Sequence, residues 1–324
     1  MQMAGYVGLM ARGVPGAAAS FVGFGLPAFA LMMGFARLYA SGHGLPVVIL
    51  IFSGLHAIAV AIVANATLSF GRTAVKDWRT LVIAGFAATL FSLNVNPLLA
   101  ILAAAAGGLA LVRPNPRGDS PRAPSVNVRT HAGALVLILG VFAAGLALLA
   151  FLDPGLLRLA VLMLRIDLFA FGGGFASVPL MLHEVVQVRH WLDSRTFMDG
   201  IVLGQVTPGP IVITATFVGY LVGGPLGGLV ATVSIFLPSF VVLAAVSPHF
   251  DRLRASPVFN RVISGVLCSF VGLLLTVTVR FAMNVPRDLS HLLLAGVAFV
   301  ALLLRVDILW VVMAGTLISV VVFT

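Results

Sequence analysis

Two short segments of this chain set helix-breaking residues among uncharged hydrogen-bond donors, a combination that can hold an anion without fully neutralising it. The first runs FGGGFASVP from Phe171 to Pro179. Its glycines, Gly172, Gly173 and Gly174, each cost a helix interior about 1 kcal/mol relative to alanine, and Pro179 removes a further backbone hydrogen bond. The second runs GQVTPGPIVITATF from Gly204 to Phe217. Pro208 and Pro210 bracket Gly209, so a helix must stop and restart there, with Pro210 suited to the first position of the new helix. The amides of Ile211 and Val212 then lie at the positive end of a helix dipole, where anions bind. Ser177, Gln205, Thr207 and Thr214 bring hydroxyl and amide groups beside the breaks. Each segment also has a plainer reading. Glycines can serve close helix packing, and a proline kink can be re-satisfied by nearby hydroxyls.

Ionisable residues inside apolar stretches are functional candidates in a membrane. Asp167, Glu184 and Asp199 are the candidate proton carriers, with snorkelling at the interface an equal reading of Arg165 and Asp167. Arg165 and Asp167 stand two positions apart on one helix, so they cannot face each other and each needs another partner. His56 and Asn65 are expected to make interhelical hydrogen bonds. Asp193 or Ser194 is expected to cap the helix that follows, and Trp191 to anchor at the headgroups. His183-Glu184 opens an HExx sequence, but Gln187 stands where a zinc protease has its second histidine, and Gly-x-Ser-x-Gly is absent. Neither an enzyme nor a metal or other cofactor is expected. The single cysteine, Cys268, reads as a small core residue.

The elements that must carry these residues are helices in a bilayer. Of 324 residues, 60% are hydrophobic and 9% charged, with mean hydropathy +1.15, where a soluble domain carries about 25% charged residues. The net charge of +9 resides in loops between apolar spans, so it points to membrane topology and not to nucleic acid. No removable signal is expected at the N-terminus. The fold class is an all-α integral membrane protein with about eleven membrane segments. Apolar helices are expected at 14–36, 45–70, 79–93, 96–112, 132–152, 226–247, 256–282, 289–304 and 306–323. The interrupted segments 156–182 and 197–222 complete the set.

Self-similarity divides the chain. Gly16, Leu26, Pro27 and Phe29 recur 211 residues later as Gly227, Leu237, Pro238 and Phe240, and Asp77 recurs as Asp288. Gly5-Tyr6 pairs with Gly219-Tyr220 if three residues are inserted. Residues 1–112 are expected to form a first repeat lacking about 50 residues at its front, and 156–324 a second, complete repeat. The helix 132–152 links them after a polar stretch at 113–131. An odd number of crossings separates equivalent helices, so the repeats should be inverted. With both interrupted segments spanning and the 113–131 linker cytoplasmic, all Lys and Arg fall inside except Arg37, Arg158, Arg165, Arg280 and Arg287. Inverted repeats with broken helices meeting near mid-membrane are a recurring plan of secondary transporters.

FGGGFASVPLM (171–181), HWLDSRTFMDGIVLGQVTPGP (190–210), ATFVGY (215–220) and ATVSIFLPSF (231–240) together resemble the chromate ion transporter family. AGYVG (4–8) and GLPAF (25–29) extend the resemblance over essentially the whole chain. It implies efflux of chromate, with sulfate as a related oxyanion, across the inner membrane under the proton motive force. The positions matching the family's motifs are Gly172, Gly173, Pro179, Trp191, Gln205, Pro208, Gly209 and Pro210. The first repeat lacks its own Gly-rich and Pro-containing segments, a departure from the family pattern. A homodimer or partner subunit could supply them. The alternative reading is a membrane scaffold or partner subunit that does not itself transport.

Overall fold

The computed structural model describes residues 1–42, 46–112, 132–170, 173–247, 253, 255–286 and 288–322. The 113–131 linker and Gly172 lie outside them. Every described element is helical. The long stretch Gln2–Gly42 is two helices, because Arg12 and Gly13 leave helical geometry and Gly13 has φ of 66°. Around that point the chain doubles back. A Cβ on Gly16 would lie 2.3 Å from the carbonyl oxygen of Gly8, although eight residues of straight helix span about 12 Å. We number the arms α1 (2–12) and α2 (14–42).

The same turn recurs in the second repeat. Gly224 has φ of 62°, a Cβ on Gly227 would lie 2.2 Å from Gly219 O, and Thr216 Oγ1 meets Thr232 Oγ1 at 2.7 Å. Gly13 and Gly224 stand 211 apart, as do Gly8 and Gly219. The repeat therefore runs without a gap into α1, and the three-residue insertion expected beside Tyr6 is not needed. Glycine is required at both turns, for positive φ and for backbone-to-backbone approach of the arms.

The remaining first-repeat helices are α3 (Pro46–Ala74), α4 (Trp78–Ser92) and α5 (Pro97–Leu111), followed by the linking helix α6 (Ala132–Leu152). Asp77 caps α4 by accepting from the Thr80 amide, and Asn94 turns the chain into α5 with φ of 59°. Their counterparts α12 (Pro257–Asn284), α13 (Leu289–Leu303) and α14 (Ile308–Val322) repeat the pattern, down to Asp288 as N-cap and Arg305 with φ of 64°. At 15 residues each, the short helices reach about 22 Å, less than the roughly 30 Å hydrocarbon core. Helices 14–42, α3, α6, 225–246 and α12 are apolar and long enough to cross.

Equivalent helices run antiparallel. Thr67 meets its own counterpart Thr278 at 3.2 Å. Further along α3, Gly71 approaches Val271 and Ala74 O accepts from Cys268 Sγ. Numbers rise on one helix as they fall on the other, which is the inverted arrangement. The repeats also interlock. Helix α12 lies against α4 and α5 of the first repeat, while α3 lies against α13 and α14 of the second. Small residues set the approach: a Cβ on Gly265 would stand 2.2 Å from Ala104 O, and one on Gly272 2.1 Å from Ala84 O.

The interrupted segments differ in form from the spanning helices expected. Each folds back on itself. Helix α7 (Pro154–Phe169) returns as α8 (Ser177–Met181), continued by a π-helical stretch at Leu182–Val188, and Arg165 meets Glu184 across the pair at 3.6 Å. Helix α9 (Ser194–Val206) returns as α10 (214–222), with Gly200 against Phe217 and Gly204 against Thr214. Single arms of this length are too short to cross. The segment carrying Arg189 and Arg195 therefore returns to the side where α7 begins, so with the 113–131 linker cytoplasmic these two arginines leave the inner side on which spanning segments would put them. The turn at Gly223–Gly224 then leads into α11 (225–246).

Candidate functional site

The tips of these two hairpins meet. At the first, Gly173 has φ of 111°, a conformation L side chains rarely adopt. A 3-10 turn (Gly174–Ala176) then leads into α8. At the second, Thr207 and Pro208 end α9, the Gly209 amide folds back to Thr207 O at 2.8 Å, and a 3-10 turn (Ile211–Ile213) opens α10. A Cβ on Gly174 would lie 2.7 Å from Ile211 Cγ2, and one on Gly209 would lie 2.5 Å from Ala28 Cβ on α2. Only glycine fits either place without displacement.

Both tips present helix N-termini. The first amides to find an acceptor are those of Ala176, on Gly173 O, and Ile213, on Pro210 O. The amides of Gly174 and Phe175, and of Ile211 and Val212, precede them and have no intrahelical partner. Pro210 has φ −72° and ψ 143°. It is thus the N-cap, and the helix starts one residue later than expected, because its carbonyl already accepts the first bond while its own backbone is still extended. Beside the second tip, Gln205 Nε2 is buried with no hydrogen-bond partner.

The hydroxyls expected as ligands are turned inward. Ser177 donates to Gly174 O at 2.6 Å, Thr207 to Gly204 O at 2.8 Å, and Thr214 to Ile211 O at 2.8 Å. Thr216 is held by Thr232. They brace the tips, leaving backbone amides and Gln205 as the available donors. Pro179 is buried in the first turn of α8, where a missing backbone N–H is tolerated, and the arm continues past it to Val188, so it does not break the helix as expected.

The three candidate carboxylates occupy different surroundings. Asp167, at the end of α7, accepts from the Ser239 amide at 2.7 Å, just beyond Pro238 in α11. Glu184 lies between Arg165 and Arg189, at 3.6 Å from each. Asp199, on α9, is 4% exposed. It shares a 2.6 Å hydrogen bond with His56 Nε2 of α3 and accepts from the Tyr39 hydroxyl of α2 at 2.8 Å. Arg165 and Asp167 thus find separate partners, and Asp193 caps α9 through the Thr196 amide. Trp191 stacks on Arg189 at 5.1 Å. Sequence reasoning singled out Asp199 and His56 but did not join them, and it missed Tyr39 and the π-helical stretch.

An all-α, multi-pass membrane protein with inverted repeats and two broken hairpins meeting tip to tip has the architecture of a secondary transporter. The sequence profile described as chromate transporter matches residues 1–109 and 157–320. The chain belongs to the chromate transporter family, whose members are transporters and not enzymes. It is 41% identical over 315 residues to an uncharacterized transporter of Methanocaldococcus jannaschii, covering 97% of this chain and 78% of that one. It is 29% identical over 305 residues to a chromate transport protein of Cupriavidus metallidurans, covering 94% and 74%. A chromate transport protein of Pseudomonas aeruginosa is 29% identical over 329 residues, covering 91% and 72%. No solved structure matches the chain.

Proposed function

We propose that this protein exports chromate, or a sulfate-like tetrahedral dianion, across the inner membrane under the proton motive force. The observation that carries this reading is the meeting of two helix N-termini at glycine-only tips, beside the unpartnered amide of Gln205. Amides at helix N-termini favour negative charge. A site built from dipoles also releases a dianion more readily than one lined with arginine, where full neutralisation would hold it. The ligands in this reading are the amides around Gly174 and Ile211, with Gly173 shaping one tip and Pro208, Gly209 and Pro210 the other. The family relationship and the relatives' names supply the oxyanion class.

The test is flux of labelled chromate and sulfate in vesicles containing the full chain, with and without an imposed pH gradient. Chromate flux above that of empty vesicles, competed by sulfate, is the expected result. No flux and no binding of either anion overturns the reading.

A further inference from the structure

A line of polar side chains runs from one face of the membrane domain to the arm that carries the Pro-Gly-Pro tip. It begins at Asp288, the N-cap of α13, which is hydrogen-bonded to His291 Nδ1. His291 is itself buried, 4% exposed, and its Nε2 reaches Ser53 Oγ of α3 at 3.0 Å. One turn along the same face of α3 stands His56, whose Nε2 is bonded to Asp199 Oδ1. Tyr39 holds the other carboxylate oxygen. The line crosses between repeats twice. The first-repeat counterpart of His291 is Thr80, which serves only its own cap. The histidine is therefore not a requirement of the repeated cap.

We infer that Asp288, His291, Ser53 and His56 form a proton relay to Asp199, with His56 and Asp199 as the proton-binding pair. This rests on the transport reading above. Each histidine takes a proton on one ring nitrogen and gives one from the other, so the charge moves while the ring keeps its place. From His291 Nε2 the proton passes to Ser53 Oγ, which releases its own. The turn from Ser53 to His56 Nδ1 is the one step without a direct hydrogen bond and requires a bridging water; His56 Nε2 then shares the proton with Asp199. With the 113–131 linker cytoplasmic, Asp288 opens on the outer face, the side from which the proton motive force drives protons.

The pair is placed to move something. Asp199 lies on α9, the arm leading to Pro208, and its bonds to His56 and Tyr39 fasten that arm to α3 and α2. Loading a proton turns a histidine–carboxylate hydrogen bond into an imidazolium–carboxylate pair, which is the stronger clamp. Of the other charged groups around the arm, Arg195 on α9 is exposed and the rest are engaged elsewhere. Asp193 caps α9, Glu184 is held by Arg165 and Arg189, and Arg280 of α12 donates to Phe91 O and Asn94 Oδ1. Also packed against α9, α14 brings no charged side chain.

The test separates coupling from binding. In vesicles containing full-length Asp199→Asn, pH-gradient-driven chromate flux should fall about tenfold or more, while chromate binding and chromate–chromate exchange stay within about twofold of wild type. His291→Gln should slow the gradient-driven flux and leave exchange alone. Gradient-driven flux unchanged in Asp199→Asn overturns the relay, as does parallel loss of binding, exchange and driven flux. A readout without substrate stands beside these. Infrared difference spectra of the wild-type protein between about pH 5 and 9 should show an imidazolium band that His56→Gln abolishes and that Asp199→Asn shifts. Absence of such a band overturns the proposal even in a folded protein. A wild-type chain that shows the band but neither binds nor exchanges chromate refutes the oxyanion reading and leaves the relay standing.

Discussion

Replacing Gly174 by alanine tests the meeting of the two tips directly. The added Cβ would stand 2.7 Å from Ile211 Cγ2 and 3.2 Å from Val212 Cγ2, where carbon atoms rest at about 3.5–4.0 Å. The tips must therefore part by about 1 Å. The strain costs roughly 1–3 kcal/mol, and the gain from leaving glycine in a helical turn offsets about 0.5–1 kcal/mol of it, so the protein should still fold. An anion held by amides from both tips at about 2.9 Å then loses one set. A hydrogen bond to a charged group is worth about 1.5–3 kcal/mol, which predicts a rise in Kd for chromate of about 10- to 100-fold. Calorimetric titration of the purified chain gives Kd, and a melting curve on the same sample confirms folding. Gly140→Ala, whose Cβ meets nothing within 4 Å, is the control. Ile211→Ala removes the clashing methyl and keeps the amide, so the double variant should recover most of the affinity. An unchanged Kd in Gly174→Ala, or a loss that Ile211→Ala does not reverse, would refute the idea that both tips hold one ligand.

Three further outcomes follow from the same geometry. Pro210→Ala lets α10 extend backward and gives its first amides a route to helical partners; chromate binding should weaken by about tenfold, while Cys268→Ala leaves it unchanged, both read by the same titration. Thr67→Cys with Thr278→Cys, in a Cys268→Ala background, should form a crosslink visible as a mobility shift, since the hydroxyls stand 3.2 Å apart; failure to crosslink under oxidising conditions would count against the antiparallel crossing. Reporter fusions at Ser125 and at the C-terminus should report opposite sides of the membrane, and the same side for both would break the inverted topology.

The positions of the breaks were legible because glycine and proline constrain the backbone wherever they stand. Gly173 and the Pro208–Pro210 bracket fall where the chain turns. What the arms do after the break was not legible. Whether α9 continues through the membrane or folds against α10 is decided by contacts such as Gly200 with Phe217, and local propensity does not encode them. The turn at Gly13 was hidden for a similar reason: an arginine precedes it, where the second repeat has Gly223. The inward turn of Ser177, Thr207 and Thr214 had a signal, since short hydroxyl side chains bond to carbonyls three or four residues back. The pairing of His56 with Asp199 had none, because 143 residues separate them and the repeat gives neither a counterpart to read it from.

The interlocking of the repeats bears on how the molecule is made. Helix α3 finds its neighbours in α13 and α14, which leave the ribosome more than two hundred residues after it. Through synthesis of everything between, a helix carrying His56 has lipid or transient partners where its native contacts will be. Contacts so distant along the chain close slowly, so insertion of single helices should run well ahead of their packing. Loss of α13 and α14 should then loosen an early-made helix, with protease cuts appearing around α3 and its neighbour α9 while α4 and α5, held by α12, stay protected.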